Sequence, residues 1–372
     1  MEKFIFINAL SAKIGGGRTY IYNLLSNLPE LNDMYKIYIV CPDSTIVPQN
    51  EKIVYLKSNF ANYNILCRMI WEFFYLPFLL KYLKVTVLFS PGGMDFNLFT
   101  FGIPKVTMFR NMLPFDKEII NKLPSKKLKF KNKLLKLLMQ RTMSMADHVI
   151  FISHYAKNII KKEISIKNSN VIYHGISEKF LLSNKDNKIS AGKKYILYVS
   201  RFEPYKNHLN LIKAYHFLPI KLREKYNLIL AGESMEPSYN ICKQYVDKNN
   251  LNDFVEFKGK VNYQELPHLY ANAEAFIFPS SCENCPNILL EAIGCGIPVL
   301  SANTEPMPEF GRDAALYFDE KSYKDINLIL QKVLENPEML SQLRLKSQSL
   351  RNQYLWKDSA LKTWNFLLSI RN

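Results

Sequence analysis

Glu283 and Glu291, with seven residues between them, lie in the stretch 279–299 (PSSCENCPNILLEAIGCGIPV). The apolar run 275–278 reads as a strand leading into it. Pro286 and Asn287 read as the start of a helix, where a proline's missing N–H is not needed. Leu289, Leu290, Ala292 and Ile293 continue that helix, and Gly294 and Gly296 end it. A strand, a tight loop and a helix N-terminus leave free backbone N–H groups and a positive dipole end over the loop, which suits an anion. A carboxylate in that loop cannot itself hold phosphate, and eight residues of helical rise span roughly 12 Å. Two carboxylates so spaced suit two hydroxyl-bearing rings on either side of a diphosphate, the layout of a nucleotide-sugar. Cys282 and Cys285 share the loop in C-x-x-C spacing. Redox or zinc chemistry would need a second pair, and the only near neighbour is Cys295.

Such a loop has to be positioned by strands and helices, and the chain supplies them in alternation. Apolar runs predict strands at 3–8, 35–41, 52–56, 85–89, 106–109, 148–152 and 171–173. The polar stretch 182–194 (LSNKDNKISAGKK) shows no periodicity and reads as a linker. A fresh series follows, with strands at 195–199, 227–231, 255–257, 275–278, 299–300 and 315–318. The helical spacings include 18–28, a single helix over 64–83, 126–141, 209–217, 239–249, 263–272, 322–335, 337–350 and 354–370. The pattern predicts an α/β protein of two Rossmann-like, doubly wound domains, 1–183 and 184–352, with the site in the cleft between them. Gly15, Gly16 and Gly17 separate the first strand from the first helix, but not as G-x-G-x-x-G, so the dinucleotide fingerprint is absent. A packing turn and a close backbone approach to a ligand both remain open for them. The loops 14–17, 90–93 and 110–115, the last carrying Arg110 and Asn111, are expected along one sheet edge.

Of 372 residues 48% are hydrophobic and 22% charged, which is ordinary for a globular chain with room for two cores. The longest apolar stretch, 70–80, carries Glu72 and Pro77 and is too short and too polar to span a bilayer. Scattered cysteines and an opening strand without a leader predict a reducing, cytoplasmic setting. The net charge of +16 is unevenly placed: between Lys117 and Arg141 nine basic residues face one acid, Glu118. Between Lys126 and Arg141 (KKLKFKNKLLKLLMQR) Phe130, Leu134, Leu137 and Leu138 share one helical face, and Lys129, Lys133 and Lys136 the opposite one. Lys127 and Lys131 intrude on the apolar side. A core-packed helix with a solvated basic face is one reading. Peripheral contact with an anionic leaflet is the other, at roughly 1 kcal/mol per lysine near the surface. Basic charge with 13% aromatics also raises RNA, but no stacking motif is present, and no nucleic-acid partner is expected.

Four motifs together resemble the retaining glycosyltransferases of family 4, the group 1 glycosyl transferases. They are Ser200-Arg201-Phe202-Glu203 with Lys206-Asn207; Ala231-Gly232-Glu233; Gly259 ahead of a helix ending Tyr270-Ala271-Asn272-Ala273; and Pro279-Ser280 with Glu283, running through Glu291 to Gly296-Ile297-Pro298-Val299. The likeness covers essentially the whole chain and is strongest over 195–320. It implies the GT-B fold of two facing Rossmann-like domains, with 353–372 crossing back onto the N-terminal domain. It implies retention, no metal and no cofactor beyond the nucleotide-diphosphate sugar itself. Arg201 and Lys206 are then expected at the donor diphosphate, and Glu283 at the donor sugar, the three forming the catalytic set. Glu291 is expected at the ribose, and the backbone of Asn284, Cys285, Pro286, Asn287 and Ile288 at sugar and phosphate. Gly15, Gly16 and Gly17 should reach the phosphate from the other domain, and Gly259, Lys260 and Val261 should border the base. Arg110 and Asn111 stand on the acceptor side, where many members carry a His-Asp pair. The acceptor is a glycan or polyprenyl-linked glycan, as in surface polysaccharide or O-antigen synthesis. The enzyme would be cytoplasmic, on the inner face of the cytoplasmic membrane. Rival assignments are a nucleotide-sugar epimerase or other GT-B enzyme, or a catalytically dead basic scaffold for membrane or RNA. His154, His174 and His208 lie beside candidate loops and are read as structural hydrogen-bonders.

Overall fold

The computed structural model describes residues 3–13, 15–30, 34–123, 125–183 and 193–370. The chain divides into two units, Met1–Gly175 with Trp356–Asn372, and Ile176–Leu355. The boundaries expected from the sequence were 183/184 and 352/353. Ile176 joins the second unit through a parallel bridge to Leu355 and a hydrogen bond from its N–H to Tyr354 O at 2.7 Å. Residues 184–192 of the expected linker lie outside the described residues.

The first unit holds a seven-stranded sheet of β1 (Lys3–Asn8), β2 (Tyr35–Val40), β3 (Ile53–Tyr55), β4 (Val87–Ser90), β5 (Lys105–Phe109), β6 (His148–Phe151) and β7 (Asn168–Val171). Their order is β3-β2-β1-β4-β5-β6-β7 and every neighbouring pair is parallel. A parallel sheet covered on both faces needs continuous apolar strands. Every residue of β4 and β5 is buried, and the polar Lys105 and Thr107 of β5 are answered there by Asp95 and by Ser90 O. β7 ends at Val171, where the sequence had suggested a strand at 171–173. Because β1, β4 and β5 are adjacent and parallel, the loops after them share one edge. Close backbone approach there needs glycine: a Cβ on Gly92 would lie 1.9 Å from Ser11 Oγ.

The helix expected over 64–83 runs from Ile65 to Tyr82 as Ile65–Ile70, a π-helical turn Trp71–Tyr75 and Leu76–Tyr82, and a separate short helix, Asn59–Tyr63, precedes it. Asn64 starts the longer helix by accepting a hydrogen bond from Cys67 N at 2.9 Å. The π turn carries Glu72, which is fully buried. Its carboxylate accepts from Asn8 Nδ2 (2.8 Å), Arg68 Nε (2.7 Å) and Phe96 N (2.7 Å), so the π turn is held by three donors. The basic helix runs Lys126–Met145, capped by Ser125, and buries Asn132, Met139, Thr142 and Met143. Its apolar stripe is not the core face: Phe130, Leu134 and Leu137 are 70%, 48% and 57% exposed. The chain's last helix, Trp356–Ser369, packs on Gly16–Ser26, with Trp364 Nε1 donating to Leu24 O at 2.9 Å.

The second unit holds a six-stranded sheet of β8 (Lys194–Val199), β9 (Tyr226–Ala231), β10 (Val255–Gly259), β11 (Ala275–Phe278), β12 (Val299–Ala302) and β13 (Ala315–Phe318). The order is β10-β9-β8-β11-β12-β13, again parallel throughout. β8 and β11 are central neighbours. The charged loop 200–207 and the loop 279–286 therefore leave adjacent strands at the carboxyl edge, where open α/β sheets bind ligands.

Candidate functional site

Two loops of the second unit are stitched together by backbone and amide contacts. Asn207 adopts the left-handed conformation at φ 53, and its Nδ2 donates to Pro279 O (2.8 Å) and Ser281 Oγ (2.6 Å). Ser281 N donates to Tyr205 O at 2.9 Å. Asparagine tolerates this backbone well, and here its side chain uses the turn to reach the neighbouring loop. On the other flank a Cβ at Gly232 would lie 1.9 Å from Ser200 O, so the end of β9 can close against β8 only with glycine.

This frame holds the charged residues. Lys206 Nζ lies 2.5 Å from Glu283 Oε1, and the same oxygen accepts from Ser280 Oγ at 2.7 Å. Lys206 is buried. Its ammonium lies 5.2 Å from the Tyr205 ring centroid, and its carbonyl accepts from Tyr198 OH at 2.8 Å. The structure thus joins two residues singled out 77 positions apart. Arg201 is placed differently: it is exposed and pairs with Glu203 at 3.1 Å. His208 is buried, stacked on Phe202 at 4.0 Å, and burial holds its imidazole down to about 3. The ring is packed and neutral rather than the hydrogen-bonder expected there, since neither ring nitrogen finds a hydrogen-bond partner among the described residues.

The helix Asn287–Gly294 begins as expected, with Pro286 at its N-cap. No side chain caps its first turn and no acidic residue sits there, so its positive end suits an anion. Asn284 is buried, and Cys285 Sγ lies 3.7 Å from Asn287 Oδ1. Cys282, Cys285 and Cys295 form no disulfide, and among the described residues no three metal-type ligands cluster.

Glu291 sits on the same helix, with Tyr270 OH donating to its Oε2 at 3.3 Å. Burial pushes its carboxyl up to about 7; hydrogen bonds from Tyr270 and Tyr263 and the charge of Lys179 act the other way. Lys179 was not singled out from the sequence. Its Nζ donates to Tyr263 O (3.0 Å) and lies 3.2 Å from that ring's centroid. Sequence spacing carries no signal for it, because Lys179 is 112 residues from Glu291 along the chain and sits in a single helical turn, Glu178–Leu181. Gly259 ends β10 at φ +68 and accepts from Gly232 N at 2.8 Å; Lys260 is exposed and Val261 half-buried.

In the first unit, Gly15 precedes the helix Gly16–Ser26. Arg110 donates from Nη2 to Gly16 O at 2.6 Å, its Nη1 is 3.8 Å from a Cβ built on Gly17, and it lies 5.3 Å over the Tyr20 ring. The glycine loop and the loop after β5 thus form one cluster, as expected of loops that share one sheet edge. Asn111 Oδ1 accepts from Leu113 N at 3.2 Å, shaping the turn Leu113–Phe115.

The family described as Glycosyl transferases group 1 matches residues 181–349, and the one described as Glycosyltransferase Family 4 matches residues 14–180. The O-antigen chain mannosyltransferase B of Escherichia coli is 30% identical over 175 residues, 47% of this chain and 46% of that protein. The serotype-specific mannosyltransferase WbdA of Escherichia coli is 28% identical over 232 residues, 58% of this chain and 28% of its own. This chain therefore spans less than half the length of these curated relatives. An uncharacterized glycosyltransferase of Methanocaldococcus jannaschii is 25% identical over 391 residues, 96% of each. Among solved structures, sucrose-phosphate synthase from Thermosynechococcus elongatus superposes with a TM-score of 0.75 at 14% identity over 98% of each chain. Anabaena HepE in complex with UDP and glucose superposes at 0.74 and 15% over 100% of each. The shared fold is GT-B.

Proposed function

The chain belongs to the group 1 glycosyltransferase family, and from that premise we propose that it moves a hexose from a nucleotide-diphosphate sugar to a glycan or polyprenyl-linked acceptor. The observation that carries this is the part-buried Lys206–Glu283 contact at 2.5 Å, held beside an uncapped helix N-terminus at the carboxyl edge of the sheet. A cation, an acid and a positive dipole end are the groups that a sugar diphosphate needs within one site. Lys206 and Arg201 neutralise the diphosphate as the anomeric C–O bond breaks, in the role a metal fills elsewhere. Glu283 hydrogen-bonds donor-sugar hydroxyls and faces the positive charge that develops at the anomeric carbon. Glu291 accepts from the ribose hydroxyls, and Gly259, Lys260 and Val261 border the base. Retention follows from attack on the face the diphosphate leaves: the acceptor oxygen bonds to the anomeric carbon, and its proton passes to the departing phosphate oxygen. In the first unit, the loop cluster of Gly16, Gly17, Arg110 and Asn111 is the candidate for the acceptor side.

Mannosyltransferases among the relatives make a mannose nucleotide the first donor to try. O-antigen synthesis by those relatives supports a surface-polysaccharide acceptor and work at the inner face of the cytoplasmic membrane. No helix among the described residues is long and apolar enough to cross a membrane, and peripheral contact through the basic helix would serve instead. The test is a melting-temperature screen against UDP-, GDP- and ADP-sugars, since a bound donor stabilises by mass action. Transfer is then assayed with the best donor for the wild type and for Glu283→Gln, with and without a chelator. Retained transfer in Glu283→Gln overturns the site. Transfer lost to the chelator overturns metal independence.

A further inference from the structure

The first unit carries a second feature that sugar transfer does not use. The helices between Asn59 and Tyr82 and the helix Lys126–Met145 wall a cavity of about 290 Å³, lined by Ile70, Phe73, Phe74, Leu138 and Met145 among others, with Arg141 on its wall. Asp95 and Lys105 also line it, both buried and paired at 2.5 Å, so their charges cancel. Around the cavity both walls turn large apolar side chains to solvent. Ile70, Phe74 and Phe78 are 50%, 62% and 66% exposed, and Phe130 and Leu137 are exposed on the basic helix that supplies the other wall. Phe99 and Phe101, from the loop after β4, add two more exposed rings. Isolated exposed apolar residues need no explanation, but a run of them around an apolar cavity marks a binding face.

Charge identifies the occupant. The helix Lys126–Met145 contains no acidic residue. Lys136 is answered by Glu163 at 2.7 Å, whereas Lys126, Lys127, Lys131, Lys133 and Arg141 are exposed and carry no ion pair among the described residues. Lys127, Lys131 and Arg141 lie on the same side of the helix as Phe130, Leu134 and Leu137, at helical spacings. A basic and apolar face of this kind fits an anionic bilayer surface: aromatic and aliphatic groups enter the acyl boundary while the cations meet lipid phosphates. An acidic protein partner would answer the lysines but leave the exposed phenylalanines and the apolar cavity without a complement.

We propose that this face docks on an anionic leaflet and that the cavity takes one hydrocarbon chain of an anionic lipid, whose phosphate meets Arg141. The proposal deepens the peripheral contact suggested above for the basic helix and is independent of the transfer chemistry. Its surface half is tested by sedimentation of the full chain with phosphatidylglycerol/phosphatidylcholine vesicles at low salt. The wild type should sediment, lose binding as salt rises, and not bind phosphatidylcholine alone. Lys127→Ala and Lys131→Ala should each weaken binding about fivefold. A wild type left in the supernatant overturns the docking face, as does a face masked by a second copy that vesicles fail to displace. The cavity is tested with dihexanoylphosphatidylglycerol below its micelle concentration, against glycerol phosphate as the head group alone. The lipid should raise the melting temperature and the head group should not. Ile70→Trp, at a half-exposed position, should fill the cavity and abolish that shift while vesicle binding persists. A shift that survives Ile70→Trp, or one given equally by glycerol phosphate, overturns the chain-binding cavity and leaves the docking face standing. Sugar transfer can be followed in the same variants without vesicles, so failure of the lipid site is separable from failure of the transferase assignment.

Discussion

The two sheets are built alike, parallel throughout with the first strand of each unit near the middle, yet they differ in how their charges are used. In the second unit buried charge stands at the carboxyl edge: Lys206 against Glu283, fixed by Ser280 and a loop tied down by Asn207. In the first unit the edge loops are glycine backbone, with Arg110 folded onto Gly16 O. Its buried pairs, Arg68–Glu72 and Lys105–Asp95, hold a π-helical turn and line a cavity instead. The same architecture thus keeps ionic groups at the carboxyl edge of the sheet in one unit and for internal support in the other. Function lies in the residues grafted onto the edge, not in the fold.

Removing one charge from each unit breaks or confirms that contrast. Lys206→Ala should lower transfer by about 10²–10³-fold, the loss expected when a group that stabilises developing charge is deleted. The chain should still fold, because the lysine sits by an edge loop. Glu72→Ala should do the reverse. It strands the buried Arg68 and removes the acceptor for Asn8 and Phe96 N, at a cost of about 3–5 kcal/mol in stability. Donor affinity in the fraction that remains folded should be unchanged. Denaturant melts paired with donor titrations check both. A Lys206→Ala protein that is merely destabilised, or a folded Glu72→Ala protein that cannot bind donor, removes the distinction.

Which parts of this were legible in the sequence follows from what periodicity can report. Buried parallel strands are continuous apolar runs, so 3–8, 275–278 and 315–318 were readable directly, and glycines and prolines marked the loops between them. The stretch 279–299 declared its helix start through Pro286 and its end through Gly294 and Gly296. Periodicity reports that a face exists and not what lies against it. The stripe of Phe130, Leu134 and Leu137 was visible, but its outward turn depends on Asn132, Met139, Thr142 and Met143 taking the core side. The π turn at Trp71–Tyr75 was hidden because it rests on contacts from Glu72 to residues 24 and 64 positions away. Lys179 beside Tyr263, and Arg110 on Gly16 O, are likewise products of long-range closure.

The second contrast is in pH response, and it belongs to the second unit. Glu291, raised to about 7 by burial, holds a proton in the folded state that the unfolded chain releases near the ordinary carboxyl value of 4.5. Between these values the folded state binds more protons. Stability from this group is therefore complete below about pH 4.5, falls as pH rises to 7, and is level above. The change is at most about 3 kcal/mol at 1.36 kcal/mol per pH unit, and less to the extent that solvent reaches the carboxyl. Donor affinity should run the opposite way, because ribose hydroxyls donate to the ionised form, and should rise through pH 7. Melting of wild type and Glu291→Gln from pH 5 to 8, with and without the best donor, separates the two trends. A donor-induced shift that grows with pH in both proteins alike would remove Glu291 from the ribose.

The smallest expected effect concerns the last helix, which lies with the first unit although it follows the second in the chain. Ser359 Oγ donates to Tyr173 O at 2.6 Å, and Ser359 is buried. Ser359→Ala removes that donor and leaves a carbonyl to find water or go unpaired, at about 1 kcal/mol. Because Tyr173 and Ser359 belong to the same unit, this loss should fall on the first unit's unfolding and leave the donor-induced stabilisation of the second intact. Amide exchange reads the two separately. Amides of β6 and of the helix Trp356–Ser369 should exchange faster in the variant, and those of β8 and β11 at the wild-type rate. Equal acceleration in β8 and β11 would mean that the two units unfold as one, and that the contrast between their edges is drawn within a single cooperative body.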